Sequence, residues 1–432
     1  MWLVVALPAA TSMWFYVDRI LVAHQVADAV AHDRPRGNLS DLYPRWLGAR
    51  ELLLHQRNPY SDEVALEIQK GYYGRALDPA RPEDPKDRQG FAYPVYVVFL
   101  LAPVVGFSFH DVQLFFYWLL IALTAATVPL WLRALGWRPP PLAVAIAIAL
   151  TLGSVPAVQG IKLQQLSLLV AALLAGSAAC VASGFLFCGG AILALATIKP
   201  QLAWPLVLWL LLWAVSDWKT RKRLVLGFAT IMGALLIAAE WILPGWIRMF
   251  LEGIRQYHQY THNESVLDQL VNWALGSHGG QILAVVACLS SAFLLWNLRR
   301  ESAGSAGFAG ALAIVMTLTV LVVPMYAPYN QVLLLPAILF LVREQFPARD
   351  FAQRAESRSG GPLVWAGGLA LAWQWIASLG LSALWFVSRD AALAGWKAPF
   401  YATFALPVLI FAAAMLAARH PRSALRAHDP TR

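Results

Sequence analysis

Charge is scarce in this chain. Only 13% of its 432 residues are Asp, Glu, Lys or Arg, against about 25% in a soluble domain of ordinary composition. Hydrophobic residues make up 59% and fall in long apolar runs, so a soluble globular protein is excluded and an integral membrane protein is implied. Alternating strands of roughly ten residues are missing too, which excludes an outer-membrane barrel and leaves an all-α helical bundle. Cysteine is limited to Cys180, Cys188 and Cys288, all in apolar stretches. They read as small core residues, with no disulfide framework or metal site. There is no phosphate-cradling GxxxxGK[ST] pattern, and residues 38–60 hold no paired-aspartate metal site of the kind that grips a nucleotide sugar. No cofactor and no metal is expected.

What is present is helix, broken by basic turns. Apolar spans are predicted over roughly 2–17, 112–132, 141–158, 166–182, 224–243, 281–298, 308–325, 329–342, 362–385 and 398–417. No Lys or Arg precedes the first, so it lacks a signal-peptide n-region and is expected to be retained. Segment 185–215 is broken at Lys199-Pro200 and is one kinked helix or two short ones. The net charge of +9 does not call for nucleic acid. The loops WKTRKR (218–223) and NLRR (297–300), the stretch 343–358 and the tail 419–432 are basic and should face the cytoplasm. The nineteen tryptophans suit interfacial belts.

Two topologies of about twelve spans then fit, and both put the polar stretch 18–90 outside. In the preferred one 91–106 dips without crossing and 185–215 crosses twice, which keeps Arg133 and Arg138 inside; in the other 91–106 crosses and 185–215 is one helix. The polar mass is thus extracytoplasmic, where ATP and nucleotide sugars are not at hand. Residues 1–432 read as one transmembrane domain. The first external loop, 18–106, carries interfacial helices and the candidate site.

Within that loop, NLSDLYPRWLGARELLLHQRNPY (38–60) is the most informative segment. Pro44 suits a first helical turn, and Ser40 or Asp41 suits its N-cap. Leu42, Trp46, Ala49 and Leu53 recur at helical spacing while Arg45, Arg50, Glu51 and His55 fall largely elsewhere, as on an amphipathic interfacial helix. Asn58-Pro59-Tyr60 makes the turn that ends it. Asp41 has two readings. It caps the helix, or it is a general base that takes a proton from an acceptor hydroxyl and is kept ionised by nearby arginines and the helix dipole. A lipid phosphate would need cations, and Arg45, Arg50, Lys162, Lys199 and His262 are the candidates. Lys162 and Lys199 border apolar segments and are equally readable as snorkelling to the interface. RQYHQYTHNES (255–265) reads as an amphipathic surface helix or as a sugar-binding segment through His258 and His262. Glu240 reads as an interfacial residue or a functional carboxylate. Asp62, Glu63, Asp84 and Asp87 sit in Pro- and charge-rich stretches and read as solvated loop.

SDLYPRWLGARELLLHQRNPY resembles the first external loop of glycosyltransferase family 87, the GT-C-type polyprenol-phosphate-mannose-dependent mannosyltransferases. FAYPVYVVFLLAP (91–103) resembles the family's Tyr-Pro segment, GIKLQQLSLLVAALLAG (160–176) its Gly-x-x-x-x-Gln stretch, and ALATIKPQLAWPLVLWLLL (194–212) its Lys-Pro segment. The resemblance implies a GT-C fold and an inverting transfer from a polyprenyl-phosphate sugar, with Asp41 as the base. It implies that Tyr43, Arg50, Asn58, Tyr60 and Tyr93 shape the site and that Lys162, Gln165 and Lys199 lie near the lipid phosphate. One departure is APYNQVLLLP at 327–336: Asn330 and Gln331 stand where a His or Asp is expected, and they bind without titrating.

The expected protein is therefore a multi-pass hexosyltransferase of the plasma membrane (a bacterial inner membrane), acting in the cell envelope. Its partners are a polyprenyl-phosphate donor, a glycan or glycolipid acceptor and the bilayer, with no nucleic acid. A lipid-linked glycan polymerase or ligase would carry its large polar loop late in the chain. A transporter would show paired broken helices at midplane depth; the sequence offers one clear break.

Overall fold

The computed structural model describes residues 2–78, 80–261, 264–276, 278–324, 326–345 and 361–419. Among these residues every regular element is helical. A bilayer core of about 30 Å takes about 20 apolar helical residues. Phe109–Ala134, Trp218–Ile242, Gly279–Leu298, Leu363–Val387 and the stretch Arg389–Arg419 meet that test. Pro141–Leu152 and Val155–Lys162 meet it together but are bent by 56°. At the break the Ser154 hydroxyl accepts from the Ala157 amide and the Gln374 side chain accepts from the Val155 amide, so the helix restarts with its amides satisfied. Leu166–Ala182, Leu186–Ala196, Pro200–Val215 and Ala306–Val322 are shorter apolar helices of 10–17 residues. Length and composition alone thus give five or six crossings among the described residues, with four shorter helices beside them, against the twelve or so expected.

Two features depart from the sequence reading. The first helix, Trp2–Tyr16, does not stop at the polar stretch. It runs through one π-helical turn, Val17–Leu21, into Val22–Ala31. Cys188 and Cys288 are exposed on outer helix faces rather than buried, and all three cysteines are free.

Helices Leu186–Ala196 and Trp218–Ile242 meet backbone to backbone. A Cβ on Gly190 would strike the Leu224 carbonyl, and one on Gly227 the Phe187 carbonyl. In lipid there is little hydrophobic gain from helix association, so close approach at small residues carries the packing.

The turns sort onto two ends of the bundle. At one end Arg133 donates to Ser183, Arg343 to the Leu135 carbonyl, Trp213 to the Glu301 carbonyl and Ser216 to the Arg299 carbonyl. This is where the basic turns collect. At the other end Asp41 N–H donates to the Leu163 carbonyl, Tyr96 OH to the Thr197 carbonyl, and Gln331 to the Thr403 carbonyl. Helices Leu186–Ala196 and Pro200–Val215 begin and end at the basic end, with Lys199 at the other. Segment 91–106 folds back on itself. The Tyr93 carbonyl accepts from Tyr60 OH and the Val105 carbonyl from Arg50, both in or just after one short helix. Its α-helix, Val97–Leu101, has five residues and spans only about 7 Å.

Candidate active site

Eight helices are numbered here in chain order: α1 Tyr43–His55, α2 Asp62–Tyr73, α3 Val97–Leu101, α4 Val155–Lys162, α5 Leu166–Ala182, α6 Leu186–Ala196, α7 Pro200–Val215 and α8 Trp246–Thr261. Between them lies a cavity of about 220 Å³. Four charged side chains line it: Asp41 and Arg45 from the start of α1, Asp87 from the strap between α2 and α3, and Lys199 from the turn between α6 and α7. Gln165, Tyr93, Tyr257 and Tyr329 line it too.

The start of α1 explains how Asp41 reaches the cavity. The N-cap position is Leu42 and makes no side-chain cap. The expected cap at Ser40 or Asp41 is therefore absent, and only the Asp41 side chain is drawn to another partner. The Ser40 hydroxyl is buried with no hydrogen-bond partner. The Asp41 carboxylate accepts a short hydrogen bond from the Gln165 amide, and its peptide N–H is anchored on the Leu163 carbonyl at 2.8 Å. The helix is also not a surface float. Pro44, Trp46, Gly48, Ala49, Glu51 and Leu52 are all buried. At Gly48 a Cβ would fall inside the Phe91 ring, so only glycine lets the strap before α3 lie on the helix. Asn58 then forms the expected turn, its side-chain oxygen accepting from Tyr60 N–H at 2.9 Å.

Gln165 links the charges. Its amide nitrogen faces Asp41, and its oxygen accepts from Lys199 Nζ at 3.2 Å. Lys199 also donates to Ser167 Oγ at 2.5 Å, and Ser167 donates to Asn330 at 3.0 Å. The Lys199 ammonium sits 5.3 Å from the Tyr329 ring centre and is 6% exposed. Arg45 donates to the Asp41 carbonyl at 3.0 Å and its guanidinium lies 4.7 Å from the Tyr93 ring centre. Its Nε is buried with no partner. A buried unmet donor is costly.

Backbone strain gathers around these groups. Of the five non-glycine residues with positive φ among the described residues, Leu39 (55°), Gln89 (54°) and Gln164 (46°) stand one or two residues from Asp41, Asp87 and Gln165. Such conformations persist only where surrounding contacts impose them. At Gln164 the contacts are visible. Its side chain donates to the Ile161 and Lys162 carbonyls at 2.9 Å and accepts from Gln113 at 3.1 Å, which ends α4 and aims Gln165 at Asp41.

Burial raises the pKa of Asp41 above 3.8, against the pull of Arg45, Lys199 and the Gln165 hydrogen bond. Arginines and the helix dipole therefore do not dominate, as the sequence suggested they would. Desolvation of the charged form wins. Lys199 is pulled down to about 7, by burial first and by Arg45 second, with Asp41 opposing. The carboxyl of Asp87 is raised by burial, against the Gln89 backbone hydrogen bond and Arg45.

The remaining sequence candidates sit apart from the cavity. Lys162 pairs with Asp18 at 2.7 Å, near the rings of Trp14 and Tyr117. Arg50 ties the Val105 carbonyl at 2.8 Å and stacks by Trp46. Tyr43 packs edge-on against Phe109 and over Gly71. Asn58 donates to Met249 Sδ. Tyr60 holds the Tyr93 carbonyl at 2.6 Å, so it supports a lining residue without lining. Glu240 accepts from Gly245 N–H and closes a turn. Gln331 bonds the Thr403 carbonyl. His258 falls within α8 with its side chain outside the described residues, and His262 lies outside them altogether. Among the described residues no three His, Cys, Asp or Glu side chains group as metal ligands.

Two acidic residues correct the sequence reading. Asp84 is no solvated loop residue, since its side chain is 4% exposed and paired with Arg75. Asp87 lines the cavity. Its stretch, DPARPEDPKDRQG, gives no periodicity by which to find it. Tyr257 and Tyr329 were also missed. Tyr329 directly precedes the two amides that drew attention in APYNQ.

A helical bundle with two carboxylates and two cations around one cavity, lined also by three tyrosines, has the build of a membrane-embedded group-transfer enzyme. The sequence model of glycosyltransferase family 87 matches residues 91–324, more than half of the 432. The chain belongs to that family and is a membrane glycosyltransferase. The matched stretch holds Tyr93, Gln165 and Lys199 and begins after Asp41, Arg45 and Asp87. Neither a curated protein nor a solved structure matches the chain.

Proposed function

We propose that this enzyme transfers mannose, with inversion, from a polyprenyl-phosphate donor to a glycan or glycolipid acceptor, and that Asp41 is its catalytic base. One observation carries the reading: Asp41, Arg45 and Lys199 line the same cavity, with the carboxylate and the ammonium held on opposite ends of one amide, Gln165. Asp41 takes the proton of an acceptor hydroxyl as that oxygen attacks the anomeric carbon. The sugar–phosphate C–O bond breaks, and the polyprenyl phosphate leaves with the electron pair. Lys199 and the Arg45 guanidinium meet the charge that develops on it. Such donors gain strength in a dry site and need no reorganisation. This places Arg45 at the phosphate and leaves Lys162 as a structural ion pair. Two carboxylates and two cations line the site, so their formal charges cancel when all four are ionised.

The basic turns occupy the opposite end of the bundle from the cavity, which supports an extracytoplasmic site in the plasma membrane. In that arrangement the short apolar helices also cross, giving about twelve spans, with 91–106 dipping into the outer face and 18–106 forming the catalytic loop.

Purified enzyme given radiolabelled polyprenyl-phosphate mannose and a cell lipid extract should form labelled glycolipid, and Asp41→Asn should bind the donor without transferring it. Turnover of a nucleotide sugar in place of the lipid donor would overturn the assignment.

A further inference from the structure

We propose that Asp87 grips neighbouring hydroxyls of a sugar in this cavity and is a specificity-determining residue; the inference rests on the sugar-transfer reading above. Asp87 enters from the strap between α2 and α3 and lines the cavity alongside Asp41, which enters from α1. It is held in place before any ligand arrives. Its backbone carbonyl accepts from Tyr73 OH at 2.7 Å. Its two carboxylate oxygens accept from Gln89 N–H at 2.9 Å and from the Gln89 amide at 3.0 Å. Gln89 does this from a left-handed backbone, φ 54°. That conformation is costly for a non-glycine residue, and here it goes with the two hydrogen bonds to the Asp87 carboxylate.

An ionised carboxylate is an acceptor only, with about four acceptor positions on two oxygens. Gln89 takes two of them. The partner that suits the rest must donate hydrogen bonds. A phosphate is excluded by charge. A divalent cation is disfavoured because the Arg45 charge interacts with both Asp41 and Asp87, and among the described residues no third acidic or His ligand joins them. Two adjacent hydroxyls on a ring match two carboxylate oxygens in number, and Tyr257 and Tyr329 line the same cavity. Proton transfer needs one carboxylate, which leaves Asp87 for recognition.

The rival role is charge balance for Arg45 alone, and substrate analogues separate the two. The full-length enzyme and Asp87→Asn are compared with polyprenyl-phosphate mannose and its monodeoxy analogues as donors, and with an alkyl mannoside and its monodeoxy analogues as acceptors. Melting curves check that the variant is folded. The proposal expects Asp87→Asn to raise KM for one substrate by about 10- to 100-fold, the size of a lost hydrogen bond to a charged group, with kcat within about threefold. It also expects one deoxy analogue to be penalised in the wild type and not further penalised in the variant. The donor and acceptor arms show which sugar is held. If Asp87→Asn does not fold, Asp87→Glu, which moves the carboxylate by one methylene, is put through the same cycle: a raised KM with the penalty of one deoxy analogue reduced supports the proposal, and KM values and deoxy penalties equal to wild type overturn it. Unchanged KM for both substrates, or deoxy penalties that persist in full in Asp87→Asn, overturn the inference while the functional reading stands. A wild type that transfers from no polyprenyl-phosphate sugar overturns both.

Discussion

The chain buries cations at both ends of the bundle and treats them differently. At the basic end Arg221 is 8% exposed. It donates to the carbonyls of Trp213, Arg299, Arg300 and Glu301 and to Ser216, and lies 3.9 Å from the Trp213 ring centre. Its hydrogen-bonding capacity is spent on joining α7 to the turn at 299–301. At the other end Lys199 has two side-chain partners, and Arg45 has one carbonyl and the Tyr93 side chain with Nε unmet; both residues line a cavity. A saturated buried cation fastens a fold. An unsaturated one, held at a cost, is available to a ligand.

That contrast is open to attack, beginning with the largest effect. Asp41→Asn should lower transfer by at least 100-fold, the span general base catalysis commonly covers, with the melting temperature unchanged within a few degrees. A variant that melts far lower would make Asp41 a structural residue like Arg221. Lys199→Met should lower kcat by about 100-fold, in line with removal of one preorganised donor to a developing negative charge. Wild-type kcat in that variant would take Lys199 out of the chemistry.

The pH profile sharpens the same point. Asp41 works ionised, so the rate climbs as pH rises through its pKa, which burial places above 3.8. Lys199 works protonated, so the rate falls as pH rises past about 7. Lys199→Arg, whose side chain does not titrate there, should lose the alkaline limb whatever its absolute rate. An alkaline limb left in place would assign it to another group.

At the saturated end the expected loss is stability. Arg221→Met strands several buried carbonyls, and unfolding in detergent should become easier by about 3 kcal/mol, with the rate per folded molecule within about twofold. The smallest effect is expected at Lys162→Met. Its partner Asp18 is half-exposed, and exposed pairs contribute little, so transfer should stay within about threefold. A large loss there would move the phosphate away from Arg45 and Lys199.

Much of this was legible in the sequence. The apolar periodicity placed the helices, and Asn58-Pro59-Tyr60 marked its turn. The motif segments pointed to Asp41, Tyr93, Gln165 and Lys199, which the fold brings to one cavity. The same reasoning put Arg50 and Lys162 beside them, and the structure does not. A cation's spacing along the chain says nothing about whether a carbonyl or a carboxylate reaches it first. Arg50 found Val105, and Lys162 found Asp18.

By itself the sequence determined that this protein lives in a membrane as a helical bundle, because apolar runs with so little charge have no stable alternative in water. It also marked a polar segment able to carry a base. Only the tertiary structure decided which charges face one another. Asp41 left the helix cap for Gln165, and Asp87 left an apparent solvated loop for the cavity wall. Both outcomes go with strained turns at Leu39, Gln89 and Gln164, and at Gln164 a residue distant in sequence, Gln113, helps to hold the turn.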